Sequence, residues 1–251
     1  TNGSKESFNI DLEKLYISNN NLIMIGDDWF SFQGFHKIKI LDLRSNLIRK
    51  DESTNSYLVQ LANVKEINEL HLSDLNVTSF NRLSIVSSSN LSDQIIIDNL
   101  LLDYNQIKSL ENVTFVGLDH LKYISFMGNQ IKSLSSIILN GITNLKTLVL
   151  ADNQIESLEQ CHFEGFSNIS ELFLAHNRIH SIRNITFLTQ LNQLKLLDLS
   201  SNFIRSIDFV DLKHFSGLSH FNLASNQIRS LDNVIFNNSQ RLENLNLRNN
   251  K

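Results

Sequence analysis

The stretch Leu145–Leu158, LKTLVLADNQIESL, decides the fold. Leu145, Leu148, Leu150, Asn153, Ile155 and Leu158 stand at the spacing LxxLxLxxNxIxxL, with small or polar residues in almost every gap. The LxL portion alternates apolar and polar, which is the period of a short strand with one face buried. An Asn closing such a strand can turn the chain and bond the main chain through both the oxygen and the nitrogen of its amide.

The same template fits ten times, with starts near residues 12, 38, 67, 97, 121, 145, 169, 194, 218 and 242. The Asn recurs as Asn20, Asn46, Asn105, Asn129, Asn153, Asn177, Asn202, Asn226 and Asn250, and Leu75 takes its place in the third copy, where a local irregularity is expected. From Asn105 onward the step is 24 residues, once 25. A fixed period of this length marks a solenoid in which no repeat can bury its apolar face alone and each covers its neighbour. Residues 1–251 therefore read as one continuous array.

Beyond the Asn, Ile or Leu fills the fourteenth position. The nineteenth is Phe30, Phe115, Phe163, Phe187 or Phe236, with Leu139 and Leu212 as substitutes, so a second apolar column is expected. Gly117, Gly141 and Gly165 recur at the twenty-first position and suggest a tight turn toward the next strand. The second and third repeats are stretched to 29 and 30 residues. In the second, Asp51 stands where an apolar residue is expected, and Tyr57, Leu58, Leu61 and Val64 follow at helix-like spacing, which predicts a short convex helix. A Ser-rich insert around Ser87–Ser92 ends near Asp93, after which the repeats are regular.

Composition excludes several classes. A hydrophobic share of 41% supplies a core, and 19% charged residues is too few for a disordered chain. A net charge of −4 gives no basic footprint for nucleic acid, and no apolar run is long enough to span a bilayer. The polar start, TNGSKESFNI, lacks the apolar heart of a signal peptide, and Lys251 falls in the middle of the tenth motif; a piece of a longer protein is expected. Seven N-glycosylation triplets begin at Asn2, Asn76, Asn90, Asn112, Asn168, Asn184 and Asn237. A chain so rich in Asn and Ser yields several by chance, so their placement away from outward strand positions carries more than their number.

No motif for catalysis, phosphate binding or metal binding is present, so neither an enzyme nor a cofactor is expected. The lone Cys161, beside His162, reads as a structural residue of the convex connection, with a nucleophile or an intermolecular disulfide as the other possibilities. His71, His176 and His220 are expected on the inner strand face in the third, seventh and ninth repeats, too far apart for one metal site but placed to respond to endosomal pH. Outward strand positions should be polar in an inert array. Here they include Leu101, Tyr104, Tyr123, Met127, Val149 and Phe173, an apolar and aromatic stripe that reads as a partner-binding surface. Strand propensity alone could also place such residues there. Asp98, Asp103, Asp152, His176 and Lys146 would form its rim, with a shallow spot at Gly128.

The motif set resembles the extracellular, 24-residue type of leucine-rich repeat, and the stretched second and third repeats look like the irregular repeats of Toll-type ectodomains. The resemblance implies an α/β fold: a curved horseshoe with a parallel sheet on its concave face and irregular or short helical convex connections. It also implies an extracellular, cell-surface or endosomal recognition module of Toll-like or related innate-immune kind. Such a module would bind a protein or microbial ligand on the concave face through the residues above and His176, and could dimerise. Neuronal-type adhesion by association of such modules is the alternative. Glycans on Asn76, Asn90, Asn112, Asn168, Asn184 and Asn237 would leave the concave face free.

Overall fold

The computed structural model describes residues 10–24, 35–48, 50–61, 64–86, 95–135, 137, 139–158, 161, 166–182, 191–207, 217–231, 234 and 240–251. The strands in chain order are β1 (Ile10–Tyr16), β2 (Ile23–Met24), β3 (Phe35–Asp42), β4 (Leu47–Ile48), β5 (Lys50–Asp51), β6 (Ser56–Gln60), β7 (Glu66–His71), β8 (Arg82–Val86), β9 (Ile96–Leu101), β10 (Val113–Val116), β11 (Tyr123–Ser125), β12 (Leu139–Asn140), β13 (Thr147–Val149), β14 (Glu171–Phe173), β15 (Leu196–Asp198), β16 (His220–Asn222) and β17 (Asn244–Asn246). One strand from each repeat joins a ten-stranded sheet in the order β1-β3-β7-β9-β11-β13-β14-β15-β16-β17, parallel throughout. The repeat step sets the register: Leu148 pairs with Ile124 on one side and with Leu172 on the other. Leu145, Leu148, Leu150, Ile155 and Leu158 are all buried in one continuous core.

The Asn ladder closes this core at the turn. Asn153 Nδ2 donates to the carbonyls of Leu150, Ala151 and, one repeat back, Phe126 at 2.9–3.2 Å, while its Oδ1 accepts the Ile131 N–H at 3.0 Å. Asn105, Asn129, Asn177, Asn202 and Asn226 repeat the arrangement. The residue before each ladder position has a φ between 52° and 69°: Asn19, Ser45, Asp74, Tyr104, Gly128, Asp152, His176, Ser201, Ser225 and Asn249. Leu75 is buried and leaves this turn intact, since Asp74 keeps a φ of 53°. The irregularity expected there is confined to the missing amide.

The convex helix is corrected. Among the described residues there is no helix, and the connections of the second to fifth repeats instead build a second sheet in the order β12-β10-β8-β6-β5. Tyr57 and Val59 point inward while Leu58 is 39% exposed, a period of two that pairing with β8 imposes. Asp51 has a positive use: its carboxylate accepts Ser53 N–H and the Ser53 and Thr54 hydroxyls at 2.7–3.0 Å, turning β5 antiparallel into β6. Beneath this sheet Tyr57, Phe80 and Phe115 stack edge to face, with centroids 5.8 and 6.2 Å apart.

Phe115 and Leu139 are both buried, but strand register sets Leu139 beside Val113 and Phe115 beside Leu83, so these two nineteenth positions do not stack on one another; Phe30, Phe163, Phe187, Leu212 and Phe236 lie outside the described residues. Gly117 and Gly141 have φ of 80° and 87°, as a tight turn requires; Gly165 lies outside the described residues.

Candidate functional site

The ten-stranded sheet presents its outward side chains in columns fixed by strand register. One column runs Asp42, His71, Leu101, Ser125, Val149, Phe173, Asp198. Leu101, Val149 and Phe173 therefore share one file, framed by charge at both ends and interrupted by Ser125. Tyr123 stands in the neighbouring column, between Asn99 and Thr147. Met127 lies toward the turn, and Tyr104 and His176 occupy the left-handed turn positions themselves. The stripe is thus a patch spread over several columns. Leu101, Tyr123, Met127, Val149 and Phe173 are half-buried, His176 is exposed, and Tyr104 is 60% exposed.

Two expectations about its floor change. Gly128 leaves no shallow spot, because the Tyr104 ring lies over it: a Cβ built on Gly128 would stand 2.4 Å from Tyr104 Cδ1. Ser125 is buried, its hydroxyl donating to Asp103 Oδ1 at 2.5 Å, and the same oxygen accepts the Met127 N–H at 2.9 Å. Asp103, expected on the rim, is a lock between the fourth and fifth repeats. Burial also raises the Tyr123 phenol above its ordinary pKa, against a hydrogen bond with Ser125.

Burial pushes the Asp103 carboxyl up, and the Ser125 and Met127 hydrogen bonds only partly offset it. A carboxyl with a raised folded-state pKa opposes folding when ionised, and that opposition fades as pH falls through its titration range. Asp103→Asn keeps the acceptor oxygen and removes the charge. The variant should be more stable than the wild type at pH 7, by a margin that shrinks toward pH 4, read from urea midpoints; a margin that grows on acidification would refute this assignment.

Of the remaining rim, three residues have partners or near neighbours of opposite charge. Asp98 accepts Lys122 Nζ at 2.8 Å and Asn68 Nδ2 at 3.3 Å, and Asp152 lies 4.0 Å from His176 Nδ1. Lys146 is exposed and lines an open groove of about 540 Å³ with His120, Lys122, Asn168, Ser170 and Lys195. A second hollow, about 400 Å³, lies over the early repeats between Arg44, His71, Ser73, Asp103 and Tyr104. At its base Arg44 clamps Asp42 with two bonds of 2.7 and 2.9 Å, and Glu69 lies 2.5 Å from His71 Nε2, leaving the buried Nδ1 of His71 without a partner. Burial acts to raise the Asp42 pKa and is outweighed by the Arg44 guanidinium and N–H, which hold it below the usual carboxylate value. These pairs had no signature beyond a two-residue spacing, within β7 for Glu69 and His71 and across the end of β3 for Asp42 and Arg44.

Cys161, on its convex connection, faces the core. It is 2% exposed, and burial pushes its thiol pKa up to about 12, so it offers neither a ready nucleophile nor an accessible disulfide partner. His162 lies outside the described residues. His71, His176 and His220 sit on the third, seventh and ninth strands of the long sheet or just after them, and among the described residues no three metal-binding side chains cluster. Of the glycosylation triplets, Asn76, Asn112 and Asn168 are exposed; Asn2, Asn90, Asn184 and Asn237 lie outside the described residues. Asn168 borders the lysine groove beside the sheet, closer to the candidate surface than a convex site would be.

A family profile for the leucine rich repeat matches residues 97–155, 143–202 and 167–228, together more than half of the chain. The chain belongs to the leucine-rich repeat family. No curated protein sequence matches this leucine-rich repeat chain. Among solved structures it is similar to the LRIM1/APL1C complex, at 20% identity and a TM-score of 0.54 over 95% of this chain and 44% of that one. An internalin from Listeria monocytogenes matches at 20% identity and a TM-score of 0.49, covering 95% and 81% of the two chains. The TLR13–ssRNA13 complex matches at 16% and 0.42, covering 94% and 53%. At such identities the likeness is one of fold. Among the described residues no helix is long and apolar enough to cross a membrane.

Proposed function

We propose that this leucine-rich repeat chain is a non-catalytic recognition module of Toll-like or related innate-immune kind, glycosylated and facing the cell exterior or the endosomal lumen. Its long sheet binds a protein or microbial ligand across the fourth to seventh repeats. The observation that carries the reading is the file Leu101, Val149 and Phe173: apolar side chains on outward positions of a parallel sheet, covered only in part, where water would otherwise favour polar ones. Tyr104 and His176 support it. Each holds a left-handed backbone that Gly or Asn would adopt at lower cost, and each puts a large side chain at the edge of that file.

Phe173→Ser and Val149→Ser test the proposal. Both side chains point away from the core, so the circular dichroism spectrum should be unchanged. Affinity for a partner captured from extracellular fluid should fall at least about tenfold in each, the usual cost of truncating a central apolar anchor. Equal retention of the partner by all three proteins would overturn the assignment. Concentration-dependent self-association that the same substitutions abolish would move the reading to an adhesive module.

A further inference from the structure

After each turn the chain descends one flank of the solenoid through a second recurring tetrad. Ile107-Lys108-Ser109-Leu110 is followed by Ile131-Lys132-Ser133-Leu134, Ile155-Glu156-Ser157-Leu158, Ile179-His180-Ser181-Ile182, Ile204-Arg205-Ser206-Ile207 and Ile228-Arg229-Ser230-Leu231. The first residue of each is buried in the core. Main-chain bonds hold the tetrads in register, from Gln130 N to Ile107 O, Gln154 N to Ile131 O, Arg178 N to Ile155 O, Phe203 N to Ile179 O and Gln227 N to Ile204 O, all 2.8–2.9 Å. The second residues, Lys108, Lys132, Glu156, His180, Arg205 and Arg229, therefore stand in one exposed file. With a rung every ~4.8 Å, the file is about 24 Å long.

This file is basic in a chain whose net charge is −4. Arg178 adds a cation beside it, and Phe203, 42% exposed, stacks on His180 with centroids 5.5 Å apart. Among the described residues none of Lys108, Lys132, Arg178, Arg205 and Arg229 forms an ion pair with a carboxylate, although the sheet-face lysines Lys37, Lys39 and Lys122 all do. Acids do follow three residues further along the sequence, at Glu111, Glu159, Asp208 and Asp232; of these Glu111 alone is described, and it leaves Lys108 unpaired. Gln106, Gln130, Gln154 and Gln227 run alongside as neutral donors and acceptors.

We propose that this flank binds a linear sulfated polysaccharide, independently of the sheet-face site. Two pairs of exposed cations, Lys108 with Lys132 and Arg205 with Arg229, with Arg178 between them, match an extended chain bearing repeated sulfates, and the glutamine amides suit its hydroxyls. A single strand of nucleic acid calls for successive aromatic faces, and this flank has one aromatic pair.

The test titrates the full chain with heparin at physiological and raised salt. Binding should weaken with salt and fall at least tenfold in the combined Lys108→Gln, Lys132→Gln, Arg205→Gln, Arg229→Gln variant, with an unchanged circular dichroism spectrum. Glu156→Gln should bind more tightly than the wild type, a gain that misfolding cannot mimic. Phe173→Ser should bind heparin normally, which separates this site from the sheet-face reading. Heparin binding that survives the four substitutions overturns the proposal. A single-stranded oligonucleotide or polyglutamate binding as tightly as heparin overturns it in favour of nucleic acid or an acidic protein.

Discussion

Replacing Asn153 by Ala should destabilise the array by about 3–5 kcal/mol, the sum of one orphaned buried N–H, the lost amide bonds and the space left by the side chain. The Ile131 N–H is the group that suffers most, because Asn153 Oδ1 is the acceptor it meets at 3.0 Å. The carbonyls lose less: Phe126 O keeps the Asn129 amide at 2.9 Å, and Leu150 O keeps the Asn177 amide at 2.9 Å. Asn153→Leu should cost nearly as much, although Leu occupies the equivalent place at position 75, since it restores volume and not the acceptor. Near Leu75 the chain after Asn46 has other support, the β2–β4 ladder, which pairs Ile48 with Met24. Solenoids need not unfold in one step, so urea denaturation should be joined by amide exchange at Ile131. Unchanged protection there in Asn153→Ala would contradict the ladder's assigned role.

The second large effect contrasts two glycines that share a positive φ. Gly141→Ala should cost about 3 kcal/mol or more, because its φ is 87° and the new Cβ would stand 2.1 Å from the Phe115 carbonyl oxygen, which cannot move without bending β10. Gly128→Ala has a φ of 69° and meets only the Tyr104 ring, so it should cost about 1 kcal/mol, chiefly the left-handed backbone, as the ring swings aside. Thermal or urea unfolding of both variants gives the comparison. Equal costs would show that the backbone conformation alone, and not the carbonyl contact, sets the demand for glycine.

The core and its order were legible in the sequence because both are local consequences of a repeat. A 24-residue step returns Leu148 to the same depth as Leu172, and the amide of Asn153 reaches the neighbouring repeat whatever the rest of the chain does. The second sheet was not legible. Tyr57, Leu58, Leu61 and Val64 satisfy a helical spacing and a strand equally over so short a run, and what decides is a partner: β8, 26 residues further on, offers unpaired backbone that turns the segment into β6. Asp51 looked like a lapse in the pattern for the same reason, since its turn exists only where β5 folds back on β6.

The candidate site divides along the same line. That Leu101, Val149 and Phe173 point outward was already determined by the sequence, through the alternation of each strand and the spacing of the repeats. How far each is exposed, that Ser125 interrupts their file, that Asp103 is spent in holding Ser125 and Met127, and that the Tyr104 ring fills the space above Gly128 were decided only by the tertiary structure. Direction along a strand is a property of the backbone period. Exposure and pairing depend on which side chains the stacking of repeats brings together, and residues a full repeat apart in sequence become neighbours one strand apart in space.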